Sequence, residues 1–251
     1  FLADDALEGR LAGSTGERCA ADYIARQMKA LGLEPGGAAR TFFQDVPLAS
    51  AINPHATGGT GRNVLGVLRG SDARLRDQWV VVGAHYDHLG RGGSGSLAPN
   101  ERNSIHNGAD DNASGVAAML EVARTLTQAR PARSVLFIAF TGEESGLLGS
   151  SAFTAHPTIP LAKTRAMLNM DMVGRLGANP VIVYGTGTAR EWDAIIGSAT
   201  RAENVEYRGQ ADGIGPSDHT SFYTSDIPVL HFFTNTHSDY HKPSDDWEKI
   251  D

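Results

Sequence analysis

The chain has 251 residues, 41% of them hydrophobic, with 22 basic against 29 acidic side chains and a formal charge of −7. That length and apolar content suit one large α/β domain or two small ones, and an acidic balance without a basic cluster argues against nucleic acid or an anionic membrane surface as the main partner. The single cysteine, Cys19, leaves no internal disulfide and no thiolate-rich zinc site, and no run of 18 apolar residues predicts a membrane span.

Any metal must therefore sit on His, Asp and Glu. The chain opens at Phe1-Leu2 and ends at Lys249-Ile250-Asp251, without an initiator methionine or signal peptide, and reads as trimmed at both ends. Ser14-Thr15-Gly16-Glu17 has capping-box spacing, and Ala20, Ile24, Met28 and Leu31 recur at helical intervals before Gly32, which predicts an amphipathic helix ending near Leu31. Thr41 to Val46 and Asn63 to Leu68 read as short strands, joined by the polar, Gly-rich connection from Pro47 to Gly61. Nothing there is long enough to be an inserted domain, so residues 1–251 read as one domain.

Trp79 to Ala84 is a buried strand running into His85-Tyr86-Asp87-His88. In an extended segment His85 and Asp87 point the same way, so one can bind a metal while the other fixes its ring. Arg91 to Asn107 is a long Gly, Ser and Asn-rich loop of the kind that forms lids and binding loops. Gly108 to Gly115, with the pair Asp110-Asp111, leads into a helix carrying Val116, Met119, Leu120, Ala123 and Leu126 on one face. Ser134 to Phe140 reads as a strand buried on both faces, and it leads into Thr141-Gly142-Glu143-Glu144. Two charges beyond the tip of a buried strand need water, a cation or a metal.

A short helix is expected around Gly149 to Ala155, and a strand over Ala166 to Val173 with Asp171 on the face opposite Leu168, Met170 and Met172. Val181 to Tyr184 is a further strand, Arg190 to Arg201 a helix, Ser217 to Tyr223 a helix start, and Pro228 to Phe233 the last strand, before Tyr240-His241. Strands alternating with helices predict a three-layer α/β/α fold with a mainly parallel, mixed sheet. Five candidate ligands come from five places: His85, Asp111, Glu144, Asp171 and His241. Two imidazoles and three carboxylates suit two zinc-like ions sharing one carboxylate, as in two-metal hydrolases.

His85-Tyr86-Asp87, Gly108 to Gly115, Thr141 to Gly146, Asn169-Met170-Asp171-Met172 and Tyr240-His241 resemble, in order, the five metal motifs of the M28 family of zinc exopeptidases. Leu7-Glu8-Gly9-Arg10-Leu11-Ala12-Gly13 resembles the lead-in of bacterial members. The resemblance implies the zinc-exopeptidase (phosphorylase/hydrolase-like) fold and two Zn2+ per chain. Asp111 would bridge the ions, with His85 and Asp171 completing one site and Glu144 and His241 the other. It further implies Glu143 as general base, Asp87 as the partner of His85, Tyr240 as a support for the oxyanion, and a cis peptide after Asp111. The implied activity is removal of amino-terminal residues from peptides with a free amino terminus, by an exported, periplasmic or secreted enzyme. A one-zinc glutaminyl cyclase, a carboxypeptidase and a non-catalytic binding domain are the alternatives.

The remaining histidines carry plainer expectations. His88, His106, His219 and His237 read as polar loop residues, His231 as a hydrogen-bonded core residue, and His55 and His156 as exposed. Ser217 and Asp218 resemble a supporting segment of the family, and Asp245 is placed to orient His241.

Overall fold

A computed structural model describes residues 1–49, 58–101 and 103–251. Most of the connection expected between Pro47 and Gly61, including His55, lies outside the described residues.

Ser14 begins α1 (Thr15–Ala30): its Oγ accepts the amide of Glu17 at 3.1 Å, as capping-box spacing predicts. The Glu17 side chain does not fold back on Ser14. It is buried, accepting from the Gly13 amide and from the hydroxyls of Tyr86 and Thr141, so it ties the helix start to two strand ends.

Among the described residues nine strands follow: β1 (Glu34–Pro35), β2 (Phe43–Pro47), β3 (Thr60–Leu68), β4 (Trp79–His85), β5 (Ser134–Phe140), β6 (Thr164–Met170), β7 (Val181–Tyr184), β8 (Tyr207–Gln210) and β9 (Val229–Phe233). They form one sheet in the order β1-β3-β5-β4-β6-β9-β7-β8, with β2 also paired to β3. The centre, β5-β4-β6-β9, is parallel, and β7 pairs parallel with β8. Both flanks join it through antiparallel pairs, β3 to β5 and β7 to β9.

Every residue of β5 is buried, as a strand between two helical layers must be. Val135, Phe137 and Ala139 pack with Ile24 and Met28 of α1 and with Val116 and Met119 of α2 (Gly115–Ala129). Leu136, Ile138 and Phe140 face the other way, onto Phe153 of α3 (Leu148–Ala155) and Phe222 of α5 (His219–Tyr223). Each fully buried Phe contributes about 1.5–3 kcal/mol of transfer free energy. The remaining helix of this set, α4 (Trp192–Glu203), seals β7 and β9 with Trp192 and Ile196.

The structure departs from the sequence reading at edges. β8 is a rim strand whose last three residues are exposed, so it has no apolar pattern to betray it. β6 starts earlier than expected and ends at Met170, which puts Asp171 just beyond the strand. Parallel register sets His85 beside Phe140 and Gly83 beside Asn169, so the segments after β4, β5 and β6 leave the sheet side by side. That shared exit is the crevice where open α/β sheets bind ligands.

Candidate metal centre

Five elements deliver side chains to this crevice. His85 ends β4, Glu143 and Glu144 follow β5, Asp171 follows β6, Asp111 lies in the turn before α2, and His241 comes from the segment after β9. His85 Nε2 stands 3.3 Å from Asp111 Oδ1 and 3.3 Å from Asp171 Oδ1. On the opposite side His241 Nε2 is 3.1 Å from Asp111 Oδ2 and 3.3 Å from Glu144 Oε2. Asp111 thus offers one oxygen to each group.

These spacings can be tested against a metal. Donors held at 2.0–2.1 Å around a tetrahedral zinc ion lie about 3.3–3.4 Å apart. All four pairs fall at or just under that length, and the donor set of imidazole nitrogen and carboxylate oxygen is a zinc set. The residues therefore fit metal binding in this crevice. Proximity alone would also recruit Glu143 beside His85 and Asp171, and His88 beside Asp111 and Glu144. Glu143 Oε2 is 3.9 Å from His85 Nε2, and His88 Nδ1 only 2.7 Å from Glu144 Oε1, so neither pair has the spacing of co-ligands.

The charge distribution also calls for cations. Burial would lower the pKa of His85, but Asp171, Glu143 and Asp111 outweigh it and raise it well above 6.5. Burial likewise opposes protonation of His241, yet hydrogen bonds to Asp111 and Glu144 push its pKa up to about 10. Burial is the main cause that raises Glu143 well above the usual carboxylate range, with Asp171, Glu144 and Asp218 adding to it.

Supporting contacts fix the ligand-bearing loops. The Asp111–Asn112 peptide is cis. Asn112 Nδ2 donates to Met170 O, and its Oδ1 accepts from the amides of Gly115 and Met172, which pins the turn to the end of β6. His241 Nδ1 faces the Gly95 carbonyl at 3.0 Å, leaving Nε2 for the site. Ser217 Oγ donates to Asp171 Oδ2 at 2.7 Å, and Asn169 Nδ2 donates to Ser217 Oγ. Tyr240 stacks on His241 with ring centroids 3.9 Å apart. Burial and the surrounding carboxylates raise its pKa, so the hydroxyl stays protonated.

Some expected contacts are placed differently. Asp87 lies 3.7 Å from His85 Nδ1, which instead sits 3.2 Å from the Asp87 backbone carbonyl. Asp87 Oδ1 accepts the amide of Glu143 at 3.1 Å. Asp245 does not orient His241: buried, it accepts the backbone amides of Asp110 and Asp111, because His241 turns its Nδ1 to Gly95.

His88 is not a loop residue in water but fully buried at the site. His106 is buried too, bonded to Ser96 and Ser104, while His237 pairs with Asp110 and His219 stacks on His231 at 4.3 Å. His231 is the hydrogen-bonded core residue expected, with Asn169 Nδ2 3.2 Å from its Nδ1, and His156 is exposed. Asp218 is buried without a hydrogen-bond partner for its carboxylate among the described residues. The segment Arg10 belongs to also matters: its fully buried guanidinium donates to the carbonyls of Leu2, Tyr86, Asn107 and Gly108. Only a buried polar role could have flagged it, and an Arg in a Gly-rich lead-in gives no such sign.

Beside the donors lies a pocket of about 200 Å³ walled by Tyr184, Pro216, Phe233 and Tyr240. A mixed α/β sheet with a carboxylate-rich metal centre at its strand ends defines a class of metal-dependent α/β proteins. Within that class the chain belongs to peptidase family M28, whose sequence pattern matches residues 63–251. The aminopeptidase YwaD of Bacillus subtilis is 31% identical over 207 residues, 77% of this chain, and the match spans 41% of that protein's length. The fold is that of BSAP, a zinc aminopeptidase from Bacillus subtilis, with a TM-score of 0.74 at 20% identity over 99% of this chain and 88% of that one. It is equally the fold of a Bacteroides thetaiotaomicron glutaminyl cyclase bound to N-acetylhistamine, with a TM-score of 0.77 at 19% identity over 98% and 87%. Among the described residues no helix is long and apolar enough to cross a membrane.

Proposed function

We propose that this chain is a two-zinc aminopeptidase that hydrolyses the first peptide bond of substrates with a free amino terminus. The observation that carries the reading is the set of four donor pairs at 3.1–3.3 Å, with Asp111 common to both groups. His85 and Asp171 would hold one ion, His241 and Glu144 the other, and Asp111 both. When bound, the ions lower the pKa of water from 15.7 toward about 7 and polarise the scissile carbonyl.

Glu143 is the general base. It follows the ligand-bearing strand end without ligand spacing, and the Asp87 carboxylate fixes its backbone amide. Burial raises its proton affinity, so it can take a proton from the attacking water and pass it to the leaving amine. The Tyr240 hydroxyl, kept protonated, is available as a donor to the developing oxyanion. The aromatic and proline walls of the adjoining pocket exclude water from the amino-terminal side chain.

The test combines metal analysis with a panel of aminoacyl amides, free and acetylated at the amine. Two ions per chain with turnover of the free amides alone is the expected result. Equal turnover of acetylated substrates would remove the aminopeptidase reading, and ring closure of amino-terminal glutamine with a single bound ion would favour the cyclase.

A further inference from the structure

We propose that His88 fixes Glu144 as a one-oxygen ligand, a positioning role that rests on the two-ion reading above. The His88 ring is fully buried, wedged between the backbone of Gly108 and the edge of His241, whose ring centroid is 5.7 Å away at 74°. A Cβ at position 108 would come within 2.5 Å of the His88 ring, so the left-handed Gly108 (φ +54) supplies both the turn and the space. Held this way, Nδ1 meets Glu144 Oε1 at 2.7 Å.

That distance decides between ligand and support. Two donors on the same tetrahedral zinc would be about 3.3–3.4 Å apart, whereas a charge-assisted N–H···O bond is about 2.7–2.9 Å. Only the second matches. A carboxylate oxygen accepts, so His88 Nδ1 carries the hydrogen and donates it. The other oxygen, Oε2, lies 3.3 Å from His241 Nε2 and remains for the ion. His88 also stands 3.9 Å from Asp111 Oδ2, too far to share that oxygen.

The consequence is chemical. A carboxylate free to swing can chelate a zinc ion through both oxygens and fill the position a water or substrate needs. With Oε1 bonded to His88, Glu144 would offer an ion only Oε2, so the donors His241, Glu144 and Asp111 would leave room for a water or substrate. Nothing about His88 needs contact with substrate.

The experiment removes and restores the N–H. His88→Ala and His88→Leu, the latter keeping bulk, both delete the donor. His88→Asn places an amide N–H close to the position of Nδ1. Zinc binding to the metal-stripped proteins is measured by competition with a chromophoric chelator, and the coordination of Co2+ by visible absorption. We expect the deletions to weaken one of two ions by about 10–100-fold, leave the other unchanged and alter the Co2+ spectrum, with Asn restoring affinity. Deletions that bind both ions as the wild type does, with the same spectrum, would overturn the proposal. So would loss of one ion in all three variants, which would make His88 a ligand. A wild type that binds one ion instead sinks the two-ion reading, and this proposal with it, before any variant is made.

Discussion

Glu143 and Glu144 are adjacent, yet their carboxylates meet different partners: Glu143 faces His85 at 3.9 Å, and Glu144 is gripped by His88 and His241. Conservative changes should therefore fail differently. On the proposed two-ion reading, Glu143→Gln keeps size and polarity but cannot take a proton, so kcat should fall about 10²–10⁴-fold with both ions still bound. Glu144→Gln would remove an anionic donor from the proposed site, and zinc occupancy should fall before any effect on the chemical step is seen. Metal content and kcat measured on both variants separate them; a Glu143→Gln enzyme that has lost its zinc would reverse the assignment. The two acids could be read from sequence because they sit beyond an unmistakable buried strand. His88 could not, because its burial comes from Gly108 and His241, which are distant in the chain. Asp245 was misplaced for a related reason. Sequence puts it four residues from His241, but backbone direction gives it to the Asp110 and Asp111 amides.

The segment from Asn107 to Asp111 shows how a loop becomes rigid enough to aim a ligand. Arg10 takes its carbonyls at 107 and 108, while Asp245 takes its amides through its own carbonyl at 109 and its carboxylate at 110 and 111. Hydrogen bonds to charged groups contribute about 1.5–3 kcal/mol each, and buried carbonyls left without donors cost about 1–3 kcal/mol. Arg10→Met should thus destabilise the protein by at least about 3 kcal/mol in urea unfolding, and a loss under about 1 kcal/mol would show that water replaces the guanidinium. A second element-level effect concerns α5 and β9, which stack His219 on His231. Burial, reinforced for His219 by the neighbouring His231, lowers His219 to about 2 and His231 to about 4. Both rings stay neutral in the fold while the unfolded chain binds protons below about 6.5, so stability is complete above that pH and falls as pH drops toward 4. Melting temperatures of the zinc-loaded wild type and His219→Phe between pH 7 and pH 4 check this. The variant should show the flatter slope, and parallel curves would rule the pair out as the cause.

Across the whole molecule, the sheet was readable wherever strands are buried on both faces, as in β4 and β5, and unreadable at β1 and β8, where short rim strands bury little. The metal centre follows from that topology, since four parallel central strands end at one edge and bring distant carboxylates together. The same convergence predicts how the fold responds to metal removal. Asp111, Glu144, Asp171 and Glu143 crowd one crevice, and without bound metal their charge is offset by the buried Arg10 guanidinium and by protonating neighbouring groups, so His85 and His241 are held basic. An ion that binds the folded chain and not the unfolded one adds RT ln(1 + [L]/Kd), about 4 kcal/mol at a thousandfold excess over Kd. Chelation should therefore inactivate the enzyme and lower its melting temperature, and adding zinc back should restore both. Because Asp111 serves both groups, Asp111→Asn should behave like the chelated protein, whereas Asp171→Asn should lose only part of the stabilisation. Calorimetric scans with zinc and with chelator settle the point: a melting temperature that ignores chelation, or an Asp111→Asn protein that still gains the full zinc increment, would mean the carboxylates are not organised around metal.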